Sequence, residues 1–147
     1  MTKFIPPFLV FCCIVSMIAI NWIFKPVAFL SMLFNIIGIA MIVAGLAMGI
    51  WVGTVFKTVQ TEIHTFKDPD KFVTHGLFRV SRNPIYLGFA FLLTGIALVY
   101  GTLISLLFPI IFILVANFWY IPVEENNMER QFGQKYLDYK SRVRRWL

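Results

Sequence analysis

Charge is what this chain has least of. Lysine, arginine, aspartate and glutamate make up 14% of its 147 residues, and seven of those charges are acidic. A soluble domain of this length does not normally confine its charges to so few places. Cysteine is as scarce: Cys12 and Cys13 are neighbours inside an apolar run, where a strain-free disulfide is out of reach, and no CxxC or Cys/His spacing accompanies them. They read as small apolar packers. The two histidines, His64 and His75, lie eleven residues apart without a partner cysteine, which leaves no recognisable zinc motif. There is no GxxxxGKS/T, no GxGxxG after a strand, no nucleophile elbow around Ser81 and no Ser/His/Asp arrangement. P-loop, dinucleotide-binding and serine-hydrolase readings fall away. No internal repeat, low-complexity tract or long linker divides the chain, so it reads as one domain over 1–147.

What the chain does have is apolar length. It is 59% hydrophobic with a mean hydropathy of +0.80. Phe4 to Phe24 carries no charge, nor does Pro26 to Phe56, and each is long enough to span a bilayer. A third uncharged run extends from Asn83 to Val123. As one straight helix it would reach ~60 Å, twice the ~30 Å hydrocarbon core. It must fold back, and Tyr100-Gly101-Thr102 is the place. Lipid leaves no unpaired backbone groups, so helices are the reading for all these runs. The expectation is an all-α integral membrane protein with four transmembrane helices, about 5–24, 27–56, 84–100 and 102–121. A loop over 57–83 and a tail over 122–147 complete it. The first run is longer than a usual signal h-region and lacks a small-x-small cleavage site, so it reads as a span.

Lysine and arginine placement orients these spans. With four crossings, one side holds Lys3, Lys57, Lys67, Lys71, Arg79, Arg82, Arg130, Lys135, Lys140, Arg142, Arg144 and Arg145, and the other holds Lys25 alone. Both termini and both polar stretches are therefore expected on the cytoplasmic side of an inner or plasma membrane. The formal charge of +6 then belongs to a membrane surface facing anionic lipid, not to nucleic-acid binding. Gly45, Gly49 and Gly53, four apart, predict a close helix contact. Asn21, Asn35 and Asn117 read as interhelical hydrogen-bonding groups. In the tail, Met128, Phe132, Tyr136, Tyr139, Val143 and Trp146 recur at helical spacing. That stripe predicts an amphipathic helix lying on the headgroups with its apolar side down.

Two polar stretches bracket the folded-back pair. The first ends in Arg82-Asn83-Pro84-Ile85-Tyr86-Leu87-Gly88, with Pro84 suited to a helix's first turn. The second is Glu124-Glu125 followed by Phe132-Gly133-Gln134-Lys135-Tyr136-Leu137-Asp138-Tyr139-Lys140. Taken singly, Arg82 is a snorkelling anchor and the glutamates are helix-start charges complementing the macrodipole. As an ordered set they resemble the membrane methyltransferase superfamily that contains isoprenylcysteine carboxyl methyltransferases and phospholipid N-methyltransferases. The resemblance covers about Gln60 to Trp146.

That resemblance implies S-adenosylmethionine bound at the cytoplasmic face. Its shell would comprise Asp70, Lys71, Phe72, Val73 and Phe78 from the loop, Arg82, Asn83, Pro84 and Tyr86 at the helix entry, and Glu124. Arg82 suits the cofactor's carboxylate, the glutamates its ammonium and ribose, and the aromatic rings its adenine. Catalytic roles fall to Arg82, Glu125 and Tyr120, the latter two near the methyl acceptor. Two departures stand out: Asn83 replaces the family's usual histidine, and Tyr120 occupies a position where eukaryotic prenylcysteine enzymes carry arginine. The expected activity is methyl transfer to a lipophilic, membrane-embedded acceptor. Phospholipid amine methylation and a non-enzymatic membrane scaffold are the alternatives.

Overall fold

The structure of the chain is a computed structural model that describes residues 5–25, 32–59 and 72–147. It is helical, with no strand among the described residues. Helix α1 is Pro6–Phe24, α2 is Met32–Val59 and α3 is Pro84–Tyr100. After Gly101 come α4, Leu103–Val115, a five-residue π turn at Ala116–Tyr120, then α5, Ile121–Phe132, and α6, Gln134–Arg142. A short 3-10 turn at Gly76–Arg79 precedes α3. The expected start of the second span at 27 and residues 60–71 of the 57–83 loop lie outside the described residues.

Among the described residues, three helical stretches are long and apolar enough to cross a membrane: Pro6–Phe24, Met32–Thr58 and Leu103–Phe132. Pro84–Tyr100 is apolar but shorter, at 17 residues. That is ~26 Å of helix, a little under the ~30 Å hydrocarbon core. The chain folds back where expected, because Gly101 takes the left-handed conformation (φ 65°) that ends α3 and returns its N–H to the Ala97 carbonyl.

The fourth helix was expected to stop at 121, before Pro122. It does not. The helical path runs on through Pro122 to Phe132. Proline has no N–H to donate and its ring crowds the carbonyl four residues back, which normally kinks or ends a helix. The π turn at Ala116–Tyr120, immediately upstream, widens the path there and lets the helix continue. Glu124 and Glu125 are consequently inside a continuous helical run, not helix-start charges.

Packing between α2 and α3 is the most extensive helix pairing in the fold. Two glycine pairs make it close. A Cβ on Gly45 would stand 2.5 Å from the Gly88 carbonyl oxygen, and one on Gly95 2.5 Å from that of Gly38. The stripe read from sequence was only partly the contact, since a Cβ at Gly49 or Gly53 would meet nothing within 4 Å. At the far end of the bundle, the Asn21 amide donates to Ser105 Oγ at 2.9 Å, and Thr102 Oγ1 lies 3.2 Å from Asn21 Oδ1 and 2.7 Å from Ser105 Oγ. This ring ties α1 to the start of α4. The core between α1, α3 and α4 includes Met17, Leu93, Ala97 and Phe112, all fully buried. The outer surface stays apolar, with Val43 and Ile50 on α2 and Ile110 and Leu114 on α4 exposed. A fold with oil inside and outside is built for lipid.

The tail departs from its expected role. Its stripe does not face outward onto headgroups: Phe132, Tyr136 and Tyr139 gather around Phe72, with ring centroids 5.2, 5.9 and 5.3 Å away, and Trp146 packs against the core. Burying aromatic area against the 72–78 segment serves the same hydrophobic stripe without lipid. Gly133, at φ 52°, makes the break between α5 and α6 that allows this turn inward.

Candidate functional site at the start of helix α3

The site is assembled by three pieces of chain: the 72–86 segment, the middle of α5, and a C-terminal strap at Val143–Trp146. Pro84 starts α3 and is buried. Just before it, Ser81, Arg82 and Asn83 run beside the strap. The Arg82 N–H donates to the Arg144 carbonyl at 2.9 Å. Ser81 Oγ and Asn83 Nδ2 both donate to the Arg145 carbonyl, at 3.2 and 3.0 Å. Three consecutive residues thus pin one extended segment.

At the centre sits Glu125, 5% exposed. A carboxylate this buried needs cationic partners to stay ionised. It has three. Arg145 grips it with both arms of its guanidinium, Nε to Oε1 at 3.1 Å and Nη2 to Oε2 at 2.8 Å. Arg82 Nη2 lies 3.2 Å from Oε1, and Lys140 Nζ 3.7 Å from Oε2 while also bonding Glu129. The Arg145 guanidinium is held further in its charged form by the hydrogen bonds it donates to Glu125. Its Nη1 reaches Asn117 Oδ1 at 3.1 Å, which Trp146 Nε1 also approaches at 3.3 Å. Asn117 belongs to the π turn, so that turn supplies the strap's second mooring.

Arg82 is the exception in this well-paired cluster. Its side chain is 9% exposed, yet its Nε and Nη1 are buried without a hydrogen-bond partner among the described residues. Buried guanidinium donors left open cost free energy, and native structures rarely leave them so without a reason.

Beside this cluster, Tyr86 Oη donates to Glu124 Oε1 at 2.7 Å. The Tyr86 ring stacks on that of Tyr120, with centroids 6.2 Å apart, and Tyr120 is 3% exposed. Phe78 sets its ring against Trp51 and Phe56 of α2, while its carbonyl accepts from Tyr139 Oη at 2.6 Å. Val73 is buried and Phe72 half-buried among the α5 and α6 aromatics. Burial pushes the Tyr139 hydroxyl up to about 12, with the Arg82 charge opposing the rise. Tyr136 is raised as well, by burial first and then by the Glu125 charge.

Of the residues singled out from sequence, Arg82, Asn83, Pro84, Tyr86, Tyr120, Glu124 and Glu125 thus come together, and Phe72, Val73 and Phe78 form the adjoining wall. Asp70 and Lys71 lie outside the described residues. Two details differ from expectation. Asn83 spends its amide on the strap, and Glu125 offers no open carboxylate because cations occupy both oxygens. Sequence reasoning missed Arg145, Lys140, Ser81 and Asn117. The basic pair Arg144-Arg145 looks like any positive-inside charge, and nothing in its spacing marks a partner twenty residues upstream.

Comparison with known proteins bears on the chemistry. The sequence profile of the phospholipid methyltransferase family matches residues 33–135. An uncharacterised protein of Haemophilus influenzae is 43% identical over 63 residues, which is the whole of that protein and 43% of this chain. No solved structure matches at a significant level.

Proposed function

This chain belongs to the phospholipid methyltransferase family, and from that premise we propose that it transfers a methyl group from S-adenosylmethionine to a lipophilic acceptor within the bilayer. The family implies a methyltransferase held in a membrane; the cofactor, the acceptor and the residue roles are our reading. We read α3 as a fourth crossing, which puts both termini and the site on the cytoplasmic face, where the basic residues concentrate.

The observation that carries the reading is the open pair of Arg82 donors. Nε and Nη1 are buried, charged and without a partner among the described residues. A planar carboxylate is the acceptor that two guanidinium donors fit best, and the cofactor carries one on its methionine end. We assign the cofactor's ammonium group to Glu124, whose carboxylate also accepts from the Tyr86 hydroxyl. Phe72 and Phe78 line the side where an adenine would rest. When bound, the cofactor supplies an electrophilic methyl on a sulfonium sulfur, which a nucleophile displaces in line. For that chemistry the chain's contribution is placement and exclusion of water more than a strong base. The buried Tyr86–Tyr120 stack supports this, as it closes the site from the core side. Glu125 serves by holding Arg82.

A phospholipid amine is favoured as acceptor over a prenylcysteine carboxylate by one observation. Tyr120, standing where prenylcysteine enzymes hold an arginine, presents a buried phenol that can offer a carboxylate one hydrogen bond but neither the charge nor the fork of a guanidinium. In purified protein, saturating S-adenosylhomocysteine should raise the unfolding temperature, since a ligand at about 100 times its Kd adds ~2.7 kcal/mol to the folded state. No shift in demonstrably folded protein would overturn the cofactor assignment. Membranes incubated with methyl-labelled cofactor should then carry label in lipid, as an N-methyl group that base does not release from the headgroup; label released by base as methanol, or found in thioether, would overturn the amine reading.

A further inference from the structure

The strap at Val143–Trp146 lies beyond the residues the family profile matches, yet it supplies the strongest contacts to Glu125. We infer that Arg145 is a positioning residue: by taking both oxygens of Glu125, it keeps Arg82 from closing its own fork on that carboxylate and so leaves Arg82 Nε and Nη1 free for an anionic ligand. The inference rests on the reading of Arg82 as the cofactor's carboxylate anchor, and it names what keeps that anchor available.

Geometry and stoichiometry make the case. Glu125 has two oxygens, and a guanidinium satisfies a carboxylate best by meeting both with parallel N–H groups. Arg145 does so, at 3.1 and 2.8 Å. Arg82 has one terminal nitrogen near the same carboxylate, at 3.2 Å, and its other two nitrogens have no hydrogen-bond partner among the described residues. Two arginines compete for one carboxylate, and the winner is the one on the strap. Its advantage is built in. The Arg144 and Arg145 carbonyls are bonded by the 81–83 segment, and the Arg145 and Trp146 side chains are moored on Asn117. Were Arg145 absent, the buried Glu125 would need its charge met elsewhere, and Arg82 is the nearest guanidinium able to turn both arms to it. An Arg82 so committed has no fork left to offer. Lys140 cannot substitute, since a point-charge ammonium at 3.7 Å lacks the paired geometry.

Asn83 gains a function on the same account. Where histidine is usual, its amide holds the Arg145 carbonyl and so steadies the strap that steadies Glu125.

The test uses the full chain in detergent and has two arms. In ligand-free protein, Arg82→Met and Arg145→Met should each lower the unfolding temperature modestly, because the other arginine still meets Glu125. The double variant should lose more than the two single losses together; should it not fold, Arg82→Lys with Arg145→Lys supplies the same cycle. Additive losses would overturn the inference. In the second arm, calorimetric titration with S-adenosylhomocysteine should show Arg145→Lys binding about tenfold more weakly, the loss of roughly one charge-assisted hydrogen bond. Lysine keeps the charge and loses the fork, so full affinity in that variant would also overturn it. In an Arg82→Lys background, Arg145→Lys should cause no further loss; a second tenfold drop would mean that Arg145 acts on the ligand itself. If wild-type protein fails to bind while the stability cycle is coupled, the cofactor reading falls and the positioning role stands. If it binds while the cycle is additive, the reverse holds.

Discussion

The two ends of the helix bundle each bury a polar cluster, and they are built on opposite rules. Near Lys25, Asn21, Thr102 and Ser105 form a neutral ring in which each group answers another: the Asn21 amide donates to Ser105 and to the Met17 carbonyl, and Thr102 bonds both Asn21 and Ser105. At the start of α3, the cluster is ionic and crowded, with three cations on one glutamate and two arginine donors left over. A closed ring holds helices together and has nothing to offer a ligand. A cluster that is over-supplied with donors in one direction is poised for something that is not yet there. Burial and polarity alone would have scored the two alike; the accounting of donors and acceptors separates them.

The sharpest way to break the contrast is Glu125→Gln. Removing the shared anion leaves up to three cations facing one another in a partly buried site. Breaking a buried pair in this way costs about 3–5 kcal/mol, readable as a large fall in unfolding temperature. An effect no greater than at the opposite end would erase the distinction drawn here. There, Asn21→Leu should cost less, since interhelical hydrogen bonds within membranes average ~0.6 kcal/mol with a maximum near 1.7. It should leave S-adenosylhomocysteine affinity untouched; a change would show that the neutral ring communicates with the site.

An effect of similar, small size is expected at the edge of the ionic cluster. Tyr139→Phe removes the 2.6 Å bond to the Phe78 carbonyl, worth ~0.5–1.5 kcal/mol at neutral pH. Its pH dependence is more telling. Folded Tyr139 holds its proton to about 12, whereas an unfolded tyrosine loses it near ~10. The contribution is therefore whole below the lower value and is lost as pH rises through the upper one. Across that alkaline window the Phe variant should lose stability less steeply than wild type. Equal slopes would place the tyrosine in a wetter setting than its 6% exposure implies.

Much of the architecture was legible from residue order. A charge-free run too long for one crossing, with Gly101 midway, demands a reversal, and the reversal is there. The grouping of Arg82, Tyr86, Tyr120 and the glutamates was legible too, because the reversal brings their segments to one end. Three things were not. Pro122 reads as a helix end to anyone counting hydrogen bonds locally, and only a widened turn upstream, invisible in composition, carries the helix through it. The close-contact glycines could not be chosen from α2 alone, because Gly45 touches and Gly49 does not according to where α3 lies. Arg145 was hidden in plain sight among basic residues whose ordinary duty is to face anionic lipid.

The glycine pairs carry a consequence for how this chain can change length. Gly38 faces Gly95 and Gly45 faces Gly88, so the seven-residue interval on one helix is matched by seven on its antiparallel neighbour. Inserting or deleting one residue between the members of either interval turns everything beyond it by ~100°. One of the two close approaches would then meet a side chain instead of a hydrogen. The close contact itself is indifferent to gains and losses of residues before Gly38, after Gly95 or in the chain between α2 and α3, and forbids them inside either interval unless the other shifts with it. The two helices are in this respect a ruler with two marks, and both marks must move together.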